Sequence, residues 1–391
     1  MSRIRHCPNP ECPNFHHPTG TWFVRIGSYH TAAHGTVRRV RCKSCGHTAS
    51  TQTYSIHYFA KRRLPLESIF VRLRSGSSLR DIARTCHVSV SAVRSAVYRL
   101  GRQSMAAQST LLDPYLSTAP VAFDGLQSYV TSQDFPCHIT TAVDSASELV
   151  LDMTHTVLRR GGTMRPAQKQ KRDAKELVWK PKTGSLTRDI SLLVNEIPRF
   201  HRMPVPGKPL VLDTDEHPVY ASVIGRDTAL GFWKNHHLFV HRRTPGSAPR
   251  TTVNRLFPVN YIDRLLRHRM KEHTRETIAF GRHGVDQMHR AWIMAYDHNF
   301  VQPWRVRKGV DSETHAQKVG IEGGEIAKVR RVFFRDRIDM RGIELSQGMR
   351  LVWEGKIDGP PVRWNSGQKI PRPAPIPGYA LREAGWRTQG V

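Results

Sequence analysis

No stretch of 18 or more consecutive apolar residues occurs in the 391-residue sequence, which excludes a helical membrane span. The first residues, MSRIRHCPNPECPN, lack the apolar centre of a secretory signal, so export is not expected. Acid is scarce as well: 32 Asp and Glu stand against 60 Lys and Arg, a formal net charge of +28. No folded core needs that excess. It points to a polyanionic partner, nucleic acid being the commonest, and its spread along the chain implies several phosphate-contacting segments. Cysteine is rarer still, six in all, yet four fall into two close pairs. Without an export signal, that spacing favours metal over disulfides and a reducing cytoplasm. The length suits two or three domains, at least one with a sizeable core.

The cysteine pairs organise residues 1–60. Cys7 and Cys12 lie in CPNPECPN, and Cys42 and Cys45 in RVRCKSCGHTAS. The second pair is a well-formed knuckle, followed by Gly46 where the chain must turn back through positive φ. Two thiolate pairs match the tetrahedral preference of zinc, and short strands between them make a zinc ribbon. A redox pair or unrelated buried thiols are the rival readings. Four cysteines close such a site, so His16, His17 and His47 are not expected as ligands.

Residues 61–105 read as helix, turn, helix. SLRDIART starts from a serine cap, CHVS is a tight turn, and VSAVRSAVYRL follows Ser89. Ile82, Ala83, Val88, Val93 and Val97 are spaced to pack two helices steeply. The pattern resembles a DNA-binding helix-turn-helix, with His87 where glycine is usual. Ser91, Arg94, Ser95 and Arg99 are then expected to reach DNA. A plain helical hairpin with basic edges is the alternative. A polar linker is expected over 106–118.

From residue 119 the apolar period changes to two. PVAFDGLQSYV, CHITTAV and LVLDMTHTV read as three sequential antiparallel strands. Ile190, Leu193, Val194 and Ile197 mark a helix that Pro198 closes. KPLVLDTDEHPVY is a short strand with an acidic end, HHLFVH another strand, and NYIDRLLRHRMKEH a helix. Asp144 and Asp152 look like turn and outer-face residues.

This order resembles the RNase H-like core of DDE transposases. The whole arrangement resembles, more narrowly, transposases of small bacterial insertion sequences. FDGLQSYV is similar to that family's first-acid strand, TDEHPVY to its T-D-x-x-P-x-Y motif, and NYIDRLLRHRMKEHTRETIAF to its third-acid helix. The likeness covers roughly residues 7 to 300 and rests on the order of weak motifs. It implies an α/β multidomain protein: zinc ribbon, helical helix-turn-helix domain, mixed-sheet catalytic core over 119–305, and a small C-terminal extension over 306–391. It also implies that Asp124, Asp215 and Asp263 are catalytic ligands of Mg2+ or Mn2+, beside structural zinc on the cysteines. Arg264, Arg267 and Arg269 would hold phosphates of double-stranded DNA. Asp213 competes with Asp215, and the motif favours the latter. Where the family has Glu, position 263 has Asp, one methylene shorter. Glu272, half a turn round a regular helix, is the less favoured substitute.

The basic segment over 159–185 reads as a DNA-contacting insertion or a disordered loop, and KIPRPAPIPG as a proline-rich tail. The expected activity is DNA nicking followed by 3′-hydroxyl strand transfer by a dimer or larger assembly in the bacterial cytoplasm. A non-catalytic DNA-binding regulator derived from a transposase is the alternative, and a nuclease on the same fold a weaker one.

Overall fold

The computed structural model describes residues 4–274, 279–305 and 313–361. Among them the chain forms thirteen α-helices and two sheets, a mixed α/β architecture. No helix among the described residues is long and apolar enough to cross a membrane.

A short helix α1 (Pro13–His16) precedes the smaller sheet, β1 (Phe23–Thr31), β2 (Gly35–Cys42) and β3 (Thr48–Ser50), an antiparallel meander. Gly46 turns the chain at φ 72°, as its place after the second cysteine pair requires. Helices α2 (Leu66–Arg74), α3 (Leu79–Thr85) and α4 (Val90–Leu112) follow. Ser78 and Ser89 cap the last two, their hydroxyls accepting from the amides of Asp81 and Ala92. His87 takes the left-handed conformation, at φ 51°.

The expected linker over 106–118 is not one in its first half, because α4 continues to Leu112. Residues 104–112, SMAAQSTLL, contain no helix breaker, and the helix stops just before Asp113 and Pro114. Gly101 lets a second long helix approach closely. A Cβ there would sit 2.4 Å from Nδ1 of His289.

The larger sheet is built from β4 (Val121–Val130), β5 (Ser132–Asp144) and β6 (Val150–Val157), an antiparallel meander. Helices α5 (Pro166–Glu176) and α6 (Ser185–Phe200) lead to β7 (Leu210–Asp215), parallel to β4. Then α7 (Pro218–Arg226) and α8 (Thr228–Asn235) connect to β8 (Phe239–Thr244), parallel to β7. The sheet order is β6-β5-β4-β7-β8. Helices α9 (Phe257–Arg269) and α10 (Gly284–Phe300) come next. Gln287 of α10 bonds His155 on one sheet face, while Asp189 of α6 bonds Thr156 on the other. The sheet is therefore covered on both sides.

Several expectations change here. The 159–185 segment contains α5 and is tied down by ion pairs, Arg160 and Lys175 to Asp134 and Arg159 to Glu176. Pro198 lies inside α6 rather than ending it. Asp152 is buried, not outward. Helix α9 ends at Arg269, so Glu272 falls in a separate 3-10 turn and the half-turn comparison with Asp263 does not apply. The C-terminal helices α11 (His315–Lys318), α12 (Gly323–Val332) and α13 (Gln347–Glu354) join the main core. Gln103 of α4 donates to the carbonyls of Phe333 and Asp336. The proline-rich tail, residues 306–312 and residues 275–278 of the third motif lie outside the described residues.

Burial holds His57, His155 and His273 down to about 4. The unfolded chain binds protons at these imidazoles from about pH 6.5 downward, and the folded chain only from about pH 4. Their contribution to stability is thus complete above pH 6.5 and falls as pH drops toward 4, by about 3 kcal/mol for each imidazole at the limit. The raised carboxyls of Asp124 and Asp152 act in the opposite sense but are outnumbered by the buried imidazoles. The melting temperature should drop clearly between pH 7.5 and pH 5; a flat profile would contradict this burial.

Candidate functional site

The four paired cysteines meet in space. Their sulfurs all lie within 4.8 Å of one another, with Cys7 Sγ 3.5 Å from Cys45 Sγ and Cys12 Sγ 3.7 Å from Cys42 Sγ. A tetrahedron with metal–sulfur bonds of about 2.3 Å has edges of roughly 3.8 Å, so the cluster is compatible with a structural zinc site. Asn14 donates toward Cys42 Sγ at 3.6 Å and to Ser44 Oγ at 2.8 Å, clamping the two knuckles together. Burial works against charge at Cys42, but hydrogen bonds from the amides of Cys45 and Ser44 and from the thiols of Cys12 and Cys45 together outweigh it and bring the thiol down to about 6. Beyond the sulfurs, the apolar side chains packed here are few: Trp22 with Ile4 and Phe23, continued by Val40, Ala49 and Tyr54. Too little surface is buried there to hold three strands without a cross-link.

The second site lies where β4 and β7 part. These parallel strands pair only through Val121–Leu212 and Ala122–Asp213. Beyond that point a cavity of about 520 Å³ opens, lined by Asp124 of β4, Asp215 at the end of β7 and Asp263 of α9. Asp124 Oδ1 accepts from the Gly125 amide at 2.7 Å, and Asp215 Oδ1 from the His217 amide at 2.9 Å. Burial, with the charge of Asp215, raises Asp124 to about 6. Burial and the charge of Asp124 lift Asp263 well above the carboxylate range. Its Oδ1 is buried without a hydrogen-bond partner. The donor atoms are less tightly gathered than the sulfurs: among the described residues, only the cysteines form a group of three or more within 4.8 Å.

The competing acids are accounted for elsewhere. Asp213 is clamped by Arg242 through two bonds of 2.7 and 2.6 Å, and Glu272 by Arg290 at 2.6 and 2.5 Å. Neither lines the cavity.

The expected DNA-contacting residues divide. Ser91 is exposed, Ser95 half-buried, and Arg264 exposed at the cavity edge. Arg267 also lines the cavity but donates to the carbonyls of His273 and Gln127. Three arginines turn inward instead. Arg94 is buried 3.4 Å from Asp286, and Arg99 donates to the carbonyls of Ile56 and Tyr58 at 2.7 and 2.8 Å. Arg269 pairs with buried Asp297 at 3.1 Å and bonds Gln302 at 2.7 Å. Arg94 and Arg99 lie on different sides of α4, each against another part of the protein, so neither is placed to read DNA in this arrangement.

Among the lining residues that sequence reasoning did not assign to the site are His138, His217, Tyr220 and Arg250. The imidazole of His138 rests where a side chain on Gly125 would be, 1.6 Å from an ideal Cβ, and donates or accepts at Thr140 Oγ1. Burial lowers it to about 4, leaving it neutral. Glycine directly after a strand aspartate was the available signal. His217 caps α7, its Nδ1 accepting from the Val219 amide.

No protein-family model matches the sequence, and no curated protein matches it.

Metal analysis should find about one zinc per chain, and Cys42→Ser or Cys12→Ser should remove it together with the ribbon's fold; metal-free protein with an intact fold would rule the site out. Gly125→Ala should lower stability by about 1–3 kcal/mol by displacing the His138 ring. Adding His138→Ala should recover most of that loss in a thermal-melt double-mutant cycle, and additive losses would contradict the contact.

Proposed function

We propose that the chain is a DNA transposase: a metal-dependent polynucleotidyl transferase that nicks DNA at element ends and joins the freed 3′-hydroxyl to target DNA. The observation that carries this reading is the meeting of Asp124, Asp215 and Asp263, from two strands and a helix, in one cavity. The antiparallel meander extended by two parallel strands, with acids on its first strand, on its fourth and on a later helix, supports an RNase H-like core. The α3–turn–α4 pair supports a helix-turn-helix reading, and the four cysteines a zinc ribbon.

The acidic residues fit hard divalent cations. All three donors are carboxylates, Asp263 Oδ1 has no hydrogen-bond partner, and burial drives Asp124 and Asp263 toward protonation, helped by the charge of Asp215 on the first and of Asp124 on the second. Positive charge among them would relieve that repulsion. Asp124, Asp215 and Asp263 would hold Mg2+ or Mn2+, which when bound supply charge stabilisation to the attacking and leaving oxygens. Holding two such ions would call for ligands spread more widely than those of a single tetrahedral site. The shorter Asp263 reaches the cavity from α9 without the extra methylene of a glutamate.

Arg250, Arg264 and Arg267 at the cavity draw in DNA phosphates. The exposed Arg25, Arg38, Arg39 and Arg41 of the small sheet offer a second basic surface for element ends. Water would attack the phosphorus at the element end with the 3′-oxygen leaving, and the freed 3′-hydroxyl would then attack a target phosphorus in line, displacing the target's own 3′-oxygen. Neither step calls for a protein nucleophile. Synapsis of two ends calls for a homodimer or larger assembly.

The wider spacing of the carboxylates favours a second reading, a DNA-binding regulator with an inactive core. Mn2+-dependent cleavage and strand transfer on end-containing DNA separates the two. Asp124→Asn, Asp215→Asn and Asp263→Asn should each slow cleavage by about 100-fold or more while leaving DNA binding intact. Binding without any cleavage by the wild type supports the regulator, and activity untouched by all three changes removes the triad.

A further inference from the structure

Tyr220 stands in the first turn of α7, behind the His217 cap and Pro218. That short approach carries its ring into the acidic cavity, where the residue is 2% exposed. Its hydroxyl is buried and has no hydrogen-bond partner. The ring is not filling space alone, because a phenylalanine would do so without a buried polar atom. A tyrosine hydroxyl keeps its proton near neutral pH, so it faces the cavity as a donor.

What could accept from it is constrained by the surroundings. The carboxylates of Asp124, Asp215 and Asp263 lie close enough for their charges to act on the phenol, yet none accepts its proton as a hydrogen bond. No described residue supplies the acceptor, so the hydroxyl is available to a molecule bound in the cavity. The acceptor on that molecule would be an oxygen that tolerates a cavity with acids on its walls and arginines, Arg250, Arg264 and Arg267, around it. A phosphodiester oxygen meets both conditions. It is drawn in by the guanidinium groups and accepts a hydrogen bond readily.

We propose that Tyr220 donates a hydrogen bond to a non-bridging oxygen of the DNA phosphate that reacts in this cavity. The inference rests on the transposase reading above. It gives the tyrosine of the T-D-x-x-P-x-Y stretch a substrate contact, distinct from the carboxylates that would hold cations. The hydroxyl fixes the phosphate's orientation relative to Asp124 and Asp263, the requirement for in-line attack.

Tyr220→Phe tests this with little disturbance, since the ring and its packing stay. Full-length protein is compared with the wild type for melting temperature, Mn2+ binding by electron paramagnetic resonance, and single-turnover cleavage of end-containing DNA. The DNA carries either ordinary phosphate or each phosphorothioate diastereomer at the cleaved position. The expected result is unchanged melting and Mn2+ binding with cleavage slowed roughly 10- to 100-fold. For one diastereomer, sulfur should slow the wild type but add little to the slowing in Tyr220→Phe, because the same hydrogen bond is already gone. Wild-type cleavage rates in the variant overturn the contact. So does weakened Mn2+ binding with both sulfur effects retained, which would make Tyr220 a partner of the carboxylates. A wild type that binds DNA and Mn2+ but cuts nothing overturns the transposase reading and this contact with it. Cleavage that needs Asp124 but ignores Tyr220 overturns the contact alone.

Discussion

Strands β4 and β7 share only two residue pairs, and the acidic cavity depends on that brief contact. The pairing brings Asp124 and Asp215 near each other on neighbouring strands, and its early end leaves space between them. Had the strands stayed paired, backbone hydrogen bonds and side chains would fill the gap. Because they part, the space is lined by carboxylates from β4, β7 and α9 in surroundings of low dielectric. Such a cavity is electrostatically unfavourable by itself. The raised proton affinities of Asp124 and Asp263 express that cost, and the proposal of bound cations rests on it.

The basic character of the chain has two physical roles. Some arginines face solvent, where their charge would serve the proposed contacts with DNA. Others act as internal cross-links, with Arg99 joining α4 to the carbonyls of Ile56 and Tyr58, and Arg94 meeting Asp286 of α10. Asp297 of α10 gathers Arg74 from α2 and Arg269 from α9, each at 3.1 Å. A guanidinium suits this work because its fork of donors can satisfy carbonyls and carboxylates from different elements at once. Buried apolar residues of α2, α4, α9 and α10 also belong to one core cluster with those of the larger sheet. Net charge alone does not tell which arginines are spent inside.

Local chemistry determined much of this protein from sequence alone. Period-two alternation located β4, β5 and β6, serine caps located the starts of α3 and α4, and the two cysteine pairs announced a four-sulfur cluster. Each of these signals acts over a few residues, where backbone hydrogen bonding and steric preference decide the outcome. Asp124, Asp215 and Asp263 were also legible as candidates, through their motifs and their order along the chain.

Tertiary structure alone decided which acids share a cavity and which arginines remain at the surface. Asp213 and Asp215 are two residues apart in an apolar strand, yet Arg242 clamps the first and the second opens onto the cavity. Arg264 and Arg269 occupy one helix, yet only the second meets a buried carboxylate across the core. His138 and Tyr220 enter the site because Gly125 makes room for one and the His217 cap aims the other. These outcomes turn on contacts between residues tens of positions apart, and desolvation and pairing energies exist only once the elements have packed.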